Sequence, residues 1–174
     1  MATLAGVIEA LLASREHDSG AVGRFQFWVS QFGDRDIATI TADEVDAALM
    51  KLAERGRLRA GRGKASTATP TGKPLSGATI NRYLSSLASV YKFARQLRLL
   101  PRGHLPPTRG VEKAPEPVDP HKYFRPEEVE RLIKVARVVD HRWRKLPALI
   151  VLGFQTGLRR GNLMALRWRD IDLE

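Results

Sequence analysis

Apolar residues recur along most of this chain at intervals of three and four, a spacing that predicts helices rather than strands. A first helix spans about Thr3 to Ser14, with Leu4, Ile8, Leu11 and Leu12 on one side. A second covers about Ala21 to Gln31 and turns Val22, Phe25, Trp28 or Val29, and Phe32 inward. Gly33-Asp34-Arg35-Asp36 breaks the chain. Thr41-Ala42-Asp43-Glu44 then reads as a capping box, in which Thr41 and Glu44 satisfy the free amides of a third helix. Its core residues are Val45, Leu49 and Leu52, and Gly56 follows its last turn. The fourth helix, roughly Ser76 to Leu99, carries the strongest pattern. At ~100° per residue, Ile80, Leu84, Leu87, Tyr91 and Ala94 share one face, with Val90 beside them.

The segments between these helices read differently. Arg57 to Pro74 is poor in apolar residues and rich in Gly, Thr, Arg and Lys, which predicts a mobile basic loop. Pro101 stops the fourth helix, and Pro106, Pro107, Pro115, Pro117 and Pro120 follow, as in a semi-extended spacer. A second domain opens at Phe124-Arg125-Pro126-Glu127-Glu128, with proline at the first helical position and acids against the helix dipole. Its inward stripe is Val129, Leu132, Ile133 and Ala136. The apolar run Leu146 to Phe154 predicts a further helix, with Gly157 as its left-handed stop. Leu158, Leu163 and Leu166 then start a new apolar face, so Arg159 is expected to emerge from a junction packed on both sides. An arginine held there presents a planar fork of donors suited to a phosphate; the plainer alternative is an ion pair with Asp170 or Asp172. The expected organisation is a domain over residues 1–100, a linker over 101–120 and a second unit over 121–174. That second unit is too short to cover Leu149, Val151, Leu152, Phe154, Leu163, Met164, Leu166 and Trp168 by itself.

Composition changes the picture through charge. The 174 residues carry a net charge of +10, unevenly spread. Met1 to Glu54 has 4 basic and 9 acidic residues, whereas Arg55 to Gly110 has 12 basic and no acidic ones. A stretch without carboxylates reads as a polyanion-binding surface. Within it, the polar face of the fourth helix is Arg82, Ser85, Ser89, Lys92 and Gln96, a set able to read base edges or grip phosphates. Ser76 and Thr79, at the start of that helix, join the candidate contacts, and in the loop Arg57, Arg59, Arg62, Lys64 and Lys73 would each neutralise a phosphate. Phe93, at the edge of the polar face, is assigned to packing against the second domain, and Arg15 is expected to add nothing to binding. There are no cysteines, no run long enough to span a bilayer and no signal peptide, which fits a cytoplasmic protein with no membrane partner. His17, His104, His121 and His141 lack metal-ligand spacing and read as surface residues. Tyr83 and Tyr91 are explained by core packing.

Two stretches carry a family resemblance. Thr156-Gly157-Leu158-Arg159-Arg160-Gly161-Asn162-Leu163-Met164-Ala165-Leu166-Arg167-Trp168-Arg169-Asp170-Ile171-Asp172 resembles the first catalytic-arginine motif of the tyrosine recombinases, the phage-integrase family. Leu75-Ser76-Gly77-Ala78-Thr79-Ile80-Asn81-Arg82-Tyr83-Leu84-Ser85-Ser86-Leu87 resembles the last helix of that family's DNA-gripping domain. The resemblance implies a mostly α fold: a four-helix SAM-like core-binding domain, a proline-rich linker and the first helices of the catalytic domain. It implies a bacterial or phage source, double-stranded DNA as partner in site-specific recombination, and neither metal nor high-energy cofactor. Arg159 would neutralise charge on the scissile phosphate. Asn162 stands where the family usually carries an acid, so the ionic hold on that arginine is missing. The family's catalytic lysine, His-x-x-Arg pair and nucleophilic tyrosine would follow Glu174, and the 174 residues are expected to bind DNA without cutting it. A natural short regulator occupying recombination sites, and an interaction fragment of a full-length recombinase that self-associates or docks through its incomplete domain, are the alternatives.

Overall fold

Each predicted helix of the first half forms, and each is started by a side chain suited to the task. In this computed structural model, which describes residues 2–59, 69–116, 123–143 and 145–171, the chain divides into two compact units, Met1–Val118 and Asp119–Glu174. The described residues are mostly helical, and no helix among them is long and apolar enough to cross a membrane.

In the first unit, α1 (Leu4–Ser14) is capped by Thr3 and α2 (Ser19–Phe32) by Asp18, whose carboxylate accepts from the Ala21 amide at 2.8 Å. α3 (Ala42–Arg55) opens with the expected capping box. The Thr41 hydroxyl accepts from the Glu44 amide, and Glu44 returns a carboxylate to the Thr41 amide at 2.9 Å. Arg35 donates to the other Glu44 oxygen at 2.8 Å, which ties the preceding turn to the helix start. That contact, with help from Thr41, lowers the Glu44 carboxyl to about 2. α4 (Gly77–Gln96) begins at Ser76, whose hydroxyl accepts from the Thr79 amide.

The core lies among these four helices. Leu4, Val7, Ile8 and Leu11 meet Phe25, Trp28 and Phe32, with Val45, Ala48, Leu49 and Leu52 from α3 and Leu84, Leu87, Val90, Tyr91 and Ala94 from α4. Trp28, not Val29, is the inward residue of its pair. It is fully buried, and its indole N–H donates to the Tyr83 carbonyl at 3.0 Å and to the Ser86 hydroxyl at 3.2 Å. Tyr91 is equally buried, and its hydroxyl donates to the Ile37 carbonyl at 2.9 Å.

α4 closes with two bonds of a Schellman turn, Arg98 N–H to the Arg95 carbonyl and Leu99 N–H to the Ala94 carbonyl, each 3.0 Å. Arg98 therefore takes φ +57°, a left-handed conformation that costs a residue other than glycine about 1 kcal/mol.

Two segments differ from their sequence expectation. The basic loop is not structureless at its base: β1 (Leu58–Arg59) pairs antiparallel with β2 (Thr69–Pro70), and Arg57 and Lys73 are joined below them through the Arg57 amide at 2.8 Å. Gly56 turns into this ribbon at φ +69°, where a Cβ would lie 2.8 Å from the Lys73 carbonyl oxygen. The proline-rich linker is not a free spacer either. A 3-10 turn at Pro107–Arg109 buries Pro107, and Val111 joins the core. Asn81 then holds the chain by donating to the Ala114 carbonyl at 2.9 Å and the Glu116 carboxylate at 2.6 Å, while accepting from the Ala114 amide at 2.9 Å. Prolines restrict the chain without preventing it from packing, and a buried asparagine supplies the polar partners that the returning backbone needs.

In the second unit, α5 (Pro126–Val139) has proline at its first position, with Glu128 accepting from the Arg125 amide at 2.8 Å. Val129 and Ala136 are buried, but Leu132 is 39% exposed. Asp140 caps α6 (Lys145–Thr156), accepting from the Lys145 and Leu146 amides at 2.7 and 2.8 Å. Gly157 ends α6 at φ +65°, as the sequence predicts, and α7 (Arg160–Ala165) follows. Leu163 packs on Gly153, yet Val151, Leu152, Phe154, Met164 and Trp168 all stay exposed. The expected shortage of cover is realised.

Candidate nucleic-acid interface

The polar face of α4 survives folding as an exposed stripe. Arg82, Ser85, Lys92 and Gln96 are exposed and Ser89 is half-buried. No acidic residue occurs anywhere in α4, and the arginine and lysine have no carboxylate partner among the described residues. Ser89 donates to the Ser86 carbonyl at 2.7 Å, and Ser76 and Thr79 are joined hydroxyl to hydroxyl at 2.9 Å. Those three hydroxyls are therefore partly committed to the helix, whereas Ser85, Lys92, Gln96 and Arg82 are free to meet a ligand.

Beside the stripe runs a groove between the end of α1 and α4, with a volume of about 340 Å³. Ser14 and Arg15 form one wall, and Ser89, Lys92, Phe93 and Gln96 the other. Arg15 is thus a neighbour of the stripe. Arg15 follows the last turn of α1 in extended backbone and is exposed there. Phe93 packs on the core of the first unit, which accounts for it without any other domain.

The ribbon adds a second group of cations. Arg57 and Lys73 are exposed and held close by their backbone bond. Arg59 lies in β1, while Arg62 and Lys64 fall outside the described residues. Two histidines differ from the surface role expected of them. His17 stands edge-on to Phe25 with 5.5 Å between ring centroids, and the His104 ring stacks on Tyr91 at 5.9 Å. Among the described residues no cluster of His, Cys, Asp and Glu is arranged to hold a metal.

In the second unit Arg159 is the N-cap residue of α7, with extended backbone, and its carbonyl accepts from the Asn162 amide at 2.9 Å. The guanidinium is exposed rather than framed by packing on both sides, because Leu158 is 37% exposed and Leu163 and Leu166 are only half-buried. The alternative ion pair with Asp170 does not form; that carboxylate accepts from the Arg167 amide at 3.0 Å and lies 3.9 Å from Arg169. Asp172 falls outside the described residues.

Comparison with known proteins bears on this surface. No family model matches the chain. It is 30% identical over 98 residues to the ICEBs1 integrase of Bacillus subtilis (strain 168), across 56% of this chain and 25% of that protein. It is 24% identical over 171 residues to the integrase of Salmonella phage P22, across 92% and 40%. Tyrosine recombinase XerC of Lactobacillus delbrueckii subsp. bulgaricus is 31% identical over 107 residues, across 60% and 34%. The chain thus spans less than half the length of these curated relatives. Among solved structures, the Tn1549 transposon integrase in complex with circular intermediate DNA matches all of this chain over 52% of its own, with a TM-score of 0.60 at 18% identity. That likeness establishes a shared, mostly helical fold.

Proposed function

We propose that, over the region it spans, the chain is a member of the tyrosine recombinases and that its first unit grips duplex DNA in site-specific recombination, a reading supported by the likeness to integrases and to tyrosine recombinase XerC. The observation that carries the reading is the exposed stripe of α4, cationic and hydroxyl-bearing with no acid in it. An α-helix fits the major groove, where arginine, lysine and glutamine reach base edges or flanking phosphates. The ribbon cations Arg57, Arg59 and Lys73, with Arg62 and Lys64 between them in sequence, would follow the backbone nearby. Arg159 is proposed to present its fork to the phosphate undergoing strand exchange, since its guanidinium is exposed and unpaired among the described residues. Self-association belongs to this reading through the exposed apolar side chains of the second unit, Phe154 and Trp168 foremost, and sedimentation over a concentration series measures it.

The test is duplex binding over a salt series. If about half of the 12 basic residues between Arg55 and Gly110 meet phosphates, log K should fall against log salt with a slope of about −5. The double variant Arg82→Ala with Lys92→Ala should lower the affinity and flatten the slope by about 2. Binding that ignores salt, or a double variant that binds like the parent, refutes the assignment.

A further inference from the structure

A second basic concavity lies where α4 ends and the following chain turns back over it. It encloses about 750 Å³ and is walled by Arg95, Arg98, Arg102 and Arg109, with His104 among them. No carboxylate lines it, although Glu112 follows Arg109 by three residues in the chain. Arg95 spends one N–H on the His104 carbonyl at 3.3 Å. The guanidinium groups of Arg98, Arg102 and Arg109 make no hydrogen bond or ion pair among the described residues.

Cations near a helix C-terminus have an ordinary use in offsetting the helix dipole. That use accounts for Arg95, in the last turn, but not for Arg102 and Arg109, which belong to the returning segment. Nor does it account for Arg98. This residue occupies the left-handed position of the Schellman turn, where glycine is the unstrained choice, so its side chain serves something other than the turn. The opposite wall is also fixed in place, by the stacking of His104 on Tyr91 and the burial of Pro107. Three guanidinium forks without a protein partner among the described residues, carried around one concavity, are suited to an anion.

We propose that this cavity seats a phosphate group through Arg98, Arg102 and Arg109, and that its source is the backbone of the duplex, as a second seat separate from the α4 stripe. The proposal rests on the duplex-grip reading, and the test separates the two. The full chain and its variants Arg98→Gly and Arg98→Gly with Arg102→Gln are measured for binding to a fluorescein-labelled duplex over a salt series, and for unfolding in urea. Arg98→Gly should be at least as stable as the parent, because the turn is relieved, and yet should flatten the salt slope by about 0.9; the double variant should flatten it by about 1.8. In parallel, inorganic phosphate titrated against the parent should shift the Gly103 amide resonance saturably, and the double variant should lose that response. Parental slopes in both variants, alongside a flattened slope for Arg82→Ala with Lys92→Ala, overturn the cavity while leaving the grip standing. A parent without salt-dependent binding removes both. A phosphate response with unchanged duplex slopes overturns the duplex as the source in favour of a free phosphate ligand. Destabilisation by Arg98→Gly overturns the strain argument.

Discussion

Removing a single oxygen atom from Tyr91 tests whether α4 is fastened to the core as described. Tyr91→Phe keeps the ring and its apolar neighbours but leaves the buried Ile37 carbonyl without the hydroxyl that donates to it at 2.9 Å. The lost bond is worth about 1 kcal/mol, and the orphaned acceptor brings the total to about 1.5 kcal/mol. With a urea slope of about 1.2 kcal/mol per M for a unit of this size, the midpoint should fall by roughly 1.2 M. Tryptophan emission reports it selectively: Trp28 is fully buried, whereas Trp143 and Trp168 are 65% and 83% exposed and change little on unfolding. Burial pushes the Tyr91 hydroxyl above the ordinary phenol range. A raised pKa gives stability that is complete below the unfolded value of about 10 and fades only above it, so the variant's deficit should be constant from about pH 6 to 9. A midpoint shift under about 0.3 M with an unchanged slope would refute the reasoning, because a bond of this kind in the interior carries more than that.

Four further outcomes are expected. Glu44→Gln should destabilise most at neutral pH and converge on the parent in acid: a carboxyl lowered to about 2 stabilises above the ordinary value of 4.5 and loses that contribution as pH falls through about 2, which urea midpoints across that range will register. Asn81→Ala removes three hydrogen bonds from the returning chain and should destabilise by about 2 kcal/mol, with the Ala114 amide exchanging at least about tenfold faster. Gly77→Ala should release the same segment by collision with the Pro115 carbonyl. Arg15→Ala should flatten the duplex salt slope by about 0.9 without altering the circular dichroism spectrum, since Arg15 is exposed on the α1–α4 groove.

What the sequence discloses here is mostly what is local. The Thr41–Glu44 box, the stop at Gly157 and the apolar spacing of α4 each involve residues within a turn or two of one another, and each forms as read. Arg15 was not legible in the same way, because it lies past the end of α1 in extended backbone, where helical spacing no longer applies. The docking of the linker was not legible. Asn81 reaches partners 33 and 35 residues away, and nothing near Ala114 or Glu116 marks them as its acceptors. Prolines with few apolar neighbours suggest an open chain, although Pro107 and Val111 suffice to close it down. The base of the ribbon escaped for a similar reason, because two-residue strands are too short to show alternation. The exposure of Arg159 depends on how Leu158, Leu163 and Leu166 are covered, a tertiary matter that helical spacing does not decide.

The docked linker also decides where this protein can be divided. A seam cut at residue 100, the apparent end of the helical domain, would strip Pro107 and Val111 from the core and leave Asn81 with nothing to hold. The same cut would discard Arg102 and Arg109 while keeping Arg95 and Arg98, splitting one cluster of cations between two pieces. Exchanging units among relatives therefore calls for a junction after Glu116, so that the returning strand of chain travels with the helices it covers. A chimera joined there inherits a finished surface, and one joined sixteen residues earlier inherits an open wound in its hydrophobic interior.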